Sequence, residues 1–93
     1  MVVEHKKIGA AGMFYVDVEG KTLAKMTYTM PSENQMTIVH TEVDPSLAGK
    51  SVGLQLVHAA VEYAREHSIK IIPQCPFAKS VFDKKPEFRD VLA

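Results

Sequence analysis

Apolar and polar residues alternate along the first half of the chain, then change to a three-and-four spacing. Phe14, Val16 and Val18 fall on one side of a run from Met13 to Glu19 that is rich in β-formers. Gly20-Lys21 supplies a turn, and Ala24, Met26, Tyr28 and Met30 resume the alternation, which predicts a hairpin. Pro31-Ser32-Glu33-Asn34 is the next turn by composition. From Gln35 to Val43, the residues Met36, Ile38, His40 and Glu42 point one way; Thr37, Val39, Thr41 and Val43 point the other. Met1 to Gly12, ahead of these strands, reads as a frayed or edge segment ending in a turn. The pattern predicts three antiparallel strands in a meander.

The spacing then predicts a helix from Ser51 to His67. Gly53, Leu56, Val57, Ala60, Val61 and Ala64 form its buried stripe, and Gln55, His58, Glu62, Arg65 and Glu66 its wet face. Ile69-Lys70-Ile71-Ile72 suits a short buried strand, so strand, helix and strand make a crossover and the last strand runs parallel to the third. Pro76 fits the first position of a second helix, with Phe77, Val81 and Phe82 on its apolar side and Pro86 ending it. The order is β-β-β-α-β-α, an α+β fold in a single domain spanning residues 1–93.

Composition narrows the classes. Acidic and basic residues number 11 each, so no bulk field draws the chain to nucleic acid or an anionic membrane. One cysteine excludes an internal disulfide. Met1 to Ala11 contains no apolar segment of signal length. These features predict a soluble cytoplasmic protein. His5, His58 and His67 show no ligand spacing with one another, so no metal site is expected.

Two stretches carry chemistry. Thr41 to Leu54 runs from a strand end through a Gly-containing loop into the long helix. The unpaired N–H groups at the mouth of such a helix, beside the positive end of its dipole, hold a phosphate. Cys75 lies between Pro73 and Pro76, at the N-cap of the second helix, where N–H groups and the dipole favour thiolate. A free cysteine is more often a small buried hydrophobe, and the chemical role needs this context. His40, on the same strand face as Ile38, sits near the strand end expected to abut Cys75; a thiol beside an imidazole is the minimal activated nucleophile. Glu42 reads either as a base or as a solvated strand residue. Phe77, Phe82 and Phe88 read as core, and Lys79, Lys84, Lys85 and Arg89 as solvated surface.

The hexad Ala48-Gly49-Lys50-Ser51-Val52-Gly53 resembles the Gln/Arg-x-x-Gly-x-Gly/Ala loop of the GCN5-related N-acetyltransferases. His40-Thr41-Glu42-Val43, Tyr63-Ala64-Arg65-Glu66-His67 and Cys75-Pro76-Phe77 extend the likeness over residues 12–92, to the small single-domain YjdJ-type subfamily. That resemblance implies a truncated acetyltransferase fold binding acetyl-CoA or coenzyme A. It places the pantetheine arm along Thr41, Glu42 and Val43 and the diphosphate over Gly49 to Gly53, with Lys50 as a nearby positive charge. It further implies acetyl transfer to an amine, held on a protein surface in one version, with Cys75 as acetyl carrier; the strand reading adds His40 as the base for either the amine or Cys75. Ala48 stands where the family has Arg or Gln, Ser51 where it has Gly, and Val81 and Phe82 where a Tyr is often found. These departures keep a non-enzymatic coenzyme A-binding or sensing module as the alternative.

Overall fold

The computed structural model describes all 93 residues. Strands β1 (Glu4–Ile8), β2 (Ala11–Val18), β3 (Lys21–Ser32) and β4 (Gln35–Val43) form an antiparallel meander. Helix α1 (Val52–His67) crosses back, strand β5 (Lys70–Pro73) joins parallel to β4, and helix α2 (Pro76–Lys84) follows. The strands lie side by side in chain order. The meander thus has four strands rather than three. The segment read as frayed or edge is a fully paired edge strand, and its polar sequence hid it because only His5 is turned partly inward.

One face of the sheet is buried. Phe14 and Val16 from β2, Ala24, Met26 and Tyr28 from β3, Met36 and Ile38 from β4 and Ile71 from β5 all point to it. Against them α1 lays Val52, Leu56, Val57, Ala60, Val61 and Ala64, the stripe the spacing predicts except that Val52 replaces Gly53. Full burial of each large side chain contributes about 1.5–3 kcal/mol, so this stripe holds the two layers together. Helix α2 adds Ala78, Val81 and Phe82 to the same cluster. The opposite sheet face is left uncovered, with Val39 and Ile72 exposed on it. No helix is long and apolar enough to cross a membrane.

Two further features position the site. The pairing of β3 with β4 slips between Thr27 and Tyr28: Tyr28 faces Ile38, Thr27 faces His40, and Val39 is the extra residue of a bulge. The chain end closes the other rim of the sheet. After a 3-10 turn at Pro86–Val91, Leu92 bridges to Ile71 and the Ala93 N–H donates to the Ile71 carbonyl at 2.8 Å. Arg65 anchors that tail with a forked pair of bonds to Asp90, both 2.9 Å.

Candidate functional site

The sheet splits where β5 stops. Ile38 is the last residue of β4 with a β5 partner, Pro73, and its carbonyl accepts the N–H groups of Gln74 and Cys75 at 3.1 and 3.0 Å. Beyond that point β4 continues to Val43 alone on that side. The Asp44 N–H donates to the Leu23 carbonyl at 2.7 Å, so this end of β4 is in register with β3. Main-chain groups alternate in direction along an antiparallel strand. Glu42 and His40 therefore spend theirs on β3, while Thr41 and Val43 turn N–H and C=O into the cleft that β5 vacates. Of the three residues expected to line the pantetheine, Val43 turns both main-chain groups into the cleft, Thr41 turns its carbonyl there with its N–H against the Cys75 sulfur, and Glu42 turns neither.

Cys75 sits at the head of this cleft. It is the N-cap of α2 and only 5% exposed. Its sulfur lies 3.4 Å from the Thr41 hydroxyl, to which the thiol donates. Burial, the largest single influence, pushes the thiol pKa up; the Thr41 hydroxyl and the N–H groups of Ala78, Phe77 and Thr41 outweigh it and hold the thiol below its ordinary range. Once ionised, the sulfur accepts from all four donors. The helix start read from Pro76 supplies two of them.

His40 is not the partner of Cys75. Strict alternation from Ile38 puts the imidazole on the buried face, but the bulge at Val39 inverts the strand. Thr41 takes the inward position beside the sulfur, and His40 turns to the uncovered face. There its Nε2 stands 3.2 Å from a Glu42 carboxylate oxygen, with Lys25 3.6 Å from the other. The bond to His40, then the charge of Lys25, hold the Glu42 carboxyl below the usual carboxylate range. The structure brings together His40 with Glu42 and Cys75 with Thr41, one pair on each face of the sheet.

The loop ahead of α1 is built as a cradle. Asp44 accepts from the Ser46 N–H at 2.9 Å and starts a 3-10 turn at Pro45–Leu47. Gly49 (φ +79°) and Ser51 (φ +56°) then take left-handed backbone conformations. The N–H groups of Ala48 and Lys50 are spent on Pro45 and Leu47, but those of Gly49, Ser51, Val52, Gly53 and Leu54 find no main-chain acceptor. The residues that carry these donors line a groove of about 360 Å³ that runs to α2 and is lined also by Ser80, Lys84 and Lys85. Lys50, the cation expected at the phosphates, does not line it. Lys84, the last residue of α2, and Lys85, its C-cap, both read as solvated surface, line it instead. Unspent N–H donors at the start of a sixteen-residue helix, with two lysines lining the same groove, fit a diphosphate.

Gly53 also has a packing role. A Cβ there would lie 2.5 Å from the Phe77 ring, so the glycine lets that ring cover the first turn of α1. Phe77 is 41% exposed and lines the groove, whereas Phe82 and Phe88 are in the core as expected. Its spacing matches that of a core residue, and nothing local distinguishes it. No group of three metal-ligating side chains occurs in the chain.

Residues 13–91 match the profile of the family described as GCN5-related N-acetyl-transferase. The solution NMR structure of a GCN5-like protein from Staphylococcus aureus is 40% identical, with a TM-score of 0.75, covering 97% of this chain and 87% of that one. Ribosomal-protein-S18-alanine N-acetyltransferase from Escherichia coli shares the fold at 13% identity and a TM-score of 0.66, over 84% of this chain. Ribosomal-protein-alanine N-acetyltransferase from Brucella melitensis does so at 19% identity and a TM-score of 0.63, over 92% of this chain. The chain spans 53% and 64% of the lengths of these two enzymes.

Proposed function

The chain belongs to the GCN5-related N-acetyltransferase family, and from that premise we propose how its residues carry out acetyl-CoA-dependent acetylation of an amine. The observation that carries the reading is the run of unspent N–H groups at Gly49 and from Ser51 to Leu54, continuous with the open edge of β4 at Thr41 and Val43. Acetyl-CoA, when bound, supplies a thioester whose acetyl carbon is open to attack by an amine, with coenzyme A as the leaving thiol. The cradle and the Lys84 and Lys85 ammonium groups hold the diphosphate. Thr41 and Val43 hold the amide-bearing arm in the cleft, and an N–H at the split stabilises negative charge on the acetyl oxygen.

His40 acts on the acceptor. Its imidazole, oriented by the Glu42 carboxylate, takes a proton from the incoming ammonium, freeing the nitrogen lone pair to form the new C–N bond. Its separation from Cys75 argues against the other role, deprotonation of the thiol. The donors that lower the Cys75 pKa are Thr41 and the α2 N–H groups, not an imidazole. As acetyl carrier, Cys75 would form the S–C bond as the coenzyme A bond breaks, then yield the acetyl group to the amine. A cytoplasmic location accords with an unpaired cysteine.

Amide shifts during titration of the folded chain with coenzyme A test the reading. Movement of Thr41, Val43 and Gly49 to Leu54 is expected; an unchanged spectrum at saturating ligand would overturn it. Mass spectrometry after incubation with acetyl-CoA should show one added acetyl group that Cys75→Ala loses; without an adduct the carrier role falls and direct transfer stands. A second reading, a coenzyme A-binding module without turnover, is favoured by Ala48, which offers a methyl where the family has a phosphate donor. Binding with no release of thiol across a panel of amines would establish it.

A further inference from the structure

The cradle groove has two exits. Val43 leads from it to the open edge of β4, whereas Leu54 and Lys85 are shared with a second cavity of about 460 Å³. That cavity follows the polar side of α1 away from the cradle and is lined further by Gln55, His58, Glu87 and Phe88. His58 lies four residues beyond Leu54, about 6 Å along the helix axis. A diphosphate at the start of α1, with the amide-bearing arm along Thr41 and Val43, thus has this cavity before its other substituent.

The cavity offers a ring shelf and acceptors. The His58 ring lies 17° from parallel with that of Phe88, centroids 5.7 Å apart, and its Nε2 is 3.5 Å from the Glu62 carboxylate. Phe88 is buried while the His58 side chain is 57% exposed, so the imidazole keeps one face for a ligand. The Gln55 amide nitrogen donates to the Lys50 carbonyl at 3.1 Å, which leaves its oxygen to accept, and Glu87 adds a carboxylate. Arg65 also lines the cavity, but its guanidinium is committed to Asp90, Glu62 and the Glu87 carbonyl. Lys85 and Glu87 then balance, and the cavity suits an uncharged ring with N–H donors on its edge rather than a second phosphate. We propose that this cavity takes the adenine of coenzyme A, its ring stacked on His58 and its exocyclic amine donating to the Gln55 and Glu87 oxygens. The assignment rests on the acetyl-CoA reading above and adds recognition of the base to it.

The test is a set of amide-shift titrations on the full chain with coenzyme A, adenosine diphosphate, inosine diphosphate and inorganic pyrophosphate. Coenzyme A and adenosine diphosphate should move His58 and Phe88 as well as Gly49 to Gly53; pyrophosphate should move only the cradle. Inosine diphosphate, with a carbonyl in place of the amine, should bind about two- to tenfold more weakly than adenosine diphosphate, the range for one hydrogen bond. His58→Leu should weaken coenzyme A and adenosine diphosphate by about five- to tenfold, the lower part of the range for a base on an aromatic ring, and leave pyrophosphate unaffected. His58→Phe should restore both. If coenzyme A moves Gly49 to Gly53 but neither His58 nor Phe88, the proposal fails while the cofactor reading stands. If His58→Leu weakens pyrophosphate alike, or weakens nothing, the ring does not bind the base and the proposal fails. Equal affinity for the two nucleotides would overturn recognition of the amine. If coenzyme A moves nothing, the cofactor reading falls and the adenine assignment with it.

Discussion

The hydroxyl of Thr41 stands 3.4 Å from the sulfur of Cys75, joining two residues thirty-four positions apart in the chain. Ordinary strand alternation would have presented His40 to that sulfur. A single extra residue in β4 substitutes a neutral hydrogen-bonding group for a base, and the thiol is tuned by donors rather than by proton abstraction.

Thr41→Val keeps the shape of the side chain and removes its donor. The pH midpoint for alkylation of Cys75 by a small haloacetamide should rise, because the hydroxyl is the leading influence that lowers the thiol pKa. The stability cost should stay near 1 kcal/mol, the value of one ordinary hydrogen bond. An unmoved midpoint would assign the tuning to the main-chain N–H groups of Thr41, Phe77 and Ala78.

Ser51 occupies the left-handed region without being glycine (φ +56°). That conformation costs an L-residue about 1–2 kcal/mol, and part of it is returned as the greater unfolded-state freedom of glycine. Ser51→Gly should therefore stabilise the fold by up to about 1 kcal/mol in chemical denaturation. No gain would show that the serine hydroxyl compensates the strain.

Gly53→Ala sets helix propensity against the Phe77 ring. Alanine favours the helix by about 1 kcal/mol, while a Cβ 2.5 Å from the ring forces Phe77 out over the cradle. Stability should move by no more than about 1 kcal/mol, yet calorimetric affinity for coenzyme A should fall. Phe77→Ala in the same chain should recover it. Equal affinity in Gly53→Ala and the parent chain would remove Phe77 from the wall of the binding groove.

His5 makes stability depend on pH. Its Nε2 lies 2.6 Å from the Tyr28 hydroxyl, and its ring stacks on Phe14 and meets the edge of Tyr63. Burial first, then the charges of Lys7 and His67, lower its pKa below 6.5. The unfolded chain therefore binds the proton more readily, so stability is full above pH 6.5 and is lost as pH falls through the depressed value. Tyr28 gives an alkaline limb: burial, then Tyr63, raise its pKa to about 12, so stability is lost from about pH 10 upward. Thermal melts of His5→Phe should lack the mildly acidic decline; an identical profile would place the titrating group elsewhere.

Much of this molecule is legible in its sequence. Periodicity alone gives α1, its buried stripe and the crossover to β5, because a helix against a sheet demands apolar residues at three-and-four spacing. Pro76 fixes the start of α2, and with it the N-cap position of Cys75. The β4 bulge is not legible: Met36 to Val43 alternates as a regular strand does, and the slip arises from how it pairs with Thr27 and Tyr28. The cradle lysines are hidden for a similar reason. Lys84 and Lys85 line one groove with the α1 loop where Phe77 packs on Gly53, a contact between elements that no local pattern records.

The tail bridge from Leu92 and Ala93 to Ile71 has a consequence for how copies of this chain meet. It occupies part of the outer rim of β5, where a foreign strand could otherwise add. The remaining rim is β1, whose Lys6 and Lys7 are exposed and would be set against like charges in an approaching copy. A sheet with one face uncovered is thereby discouraged from growing by lateral strand addition, one side by a covalently attached plug and the other by ammonium groups.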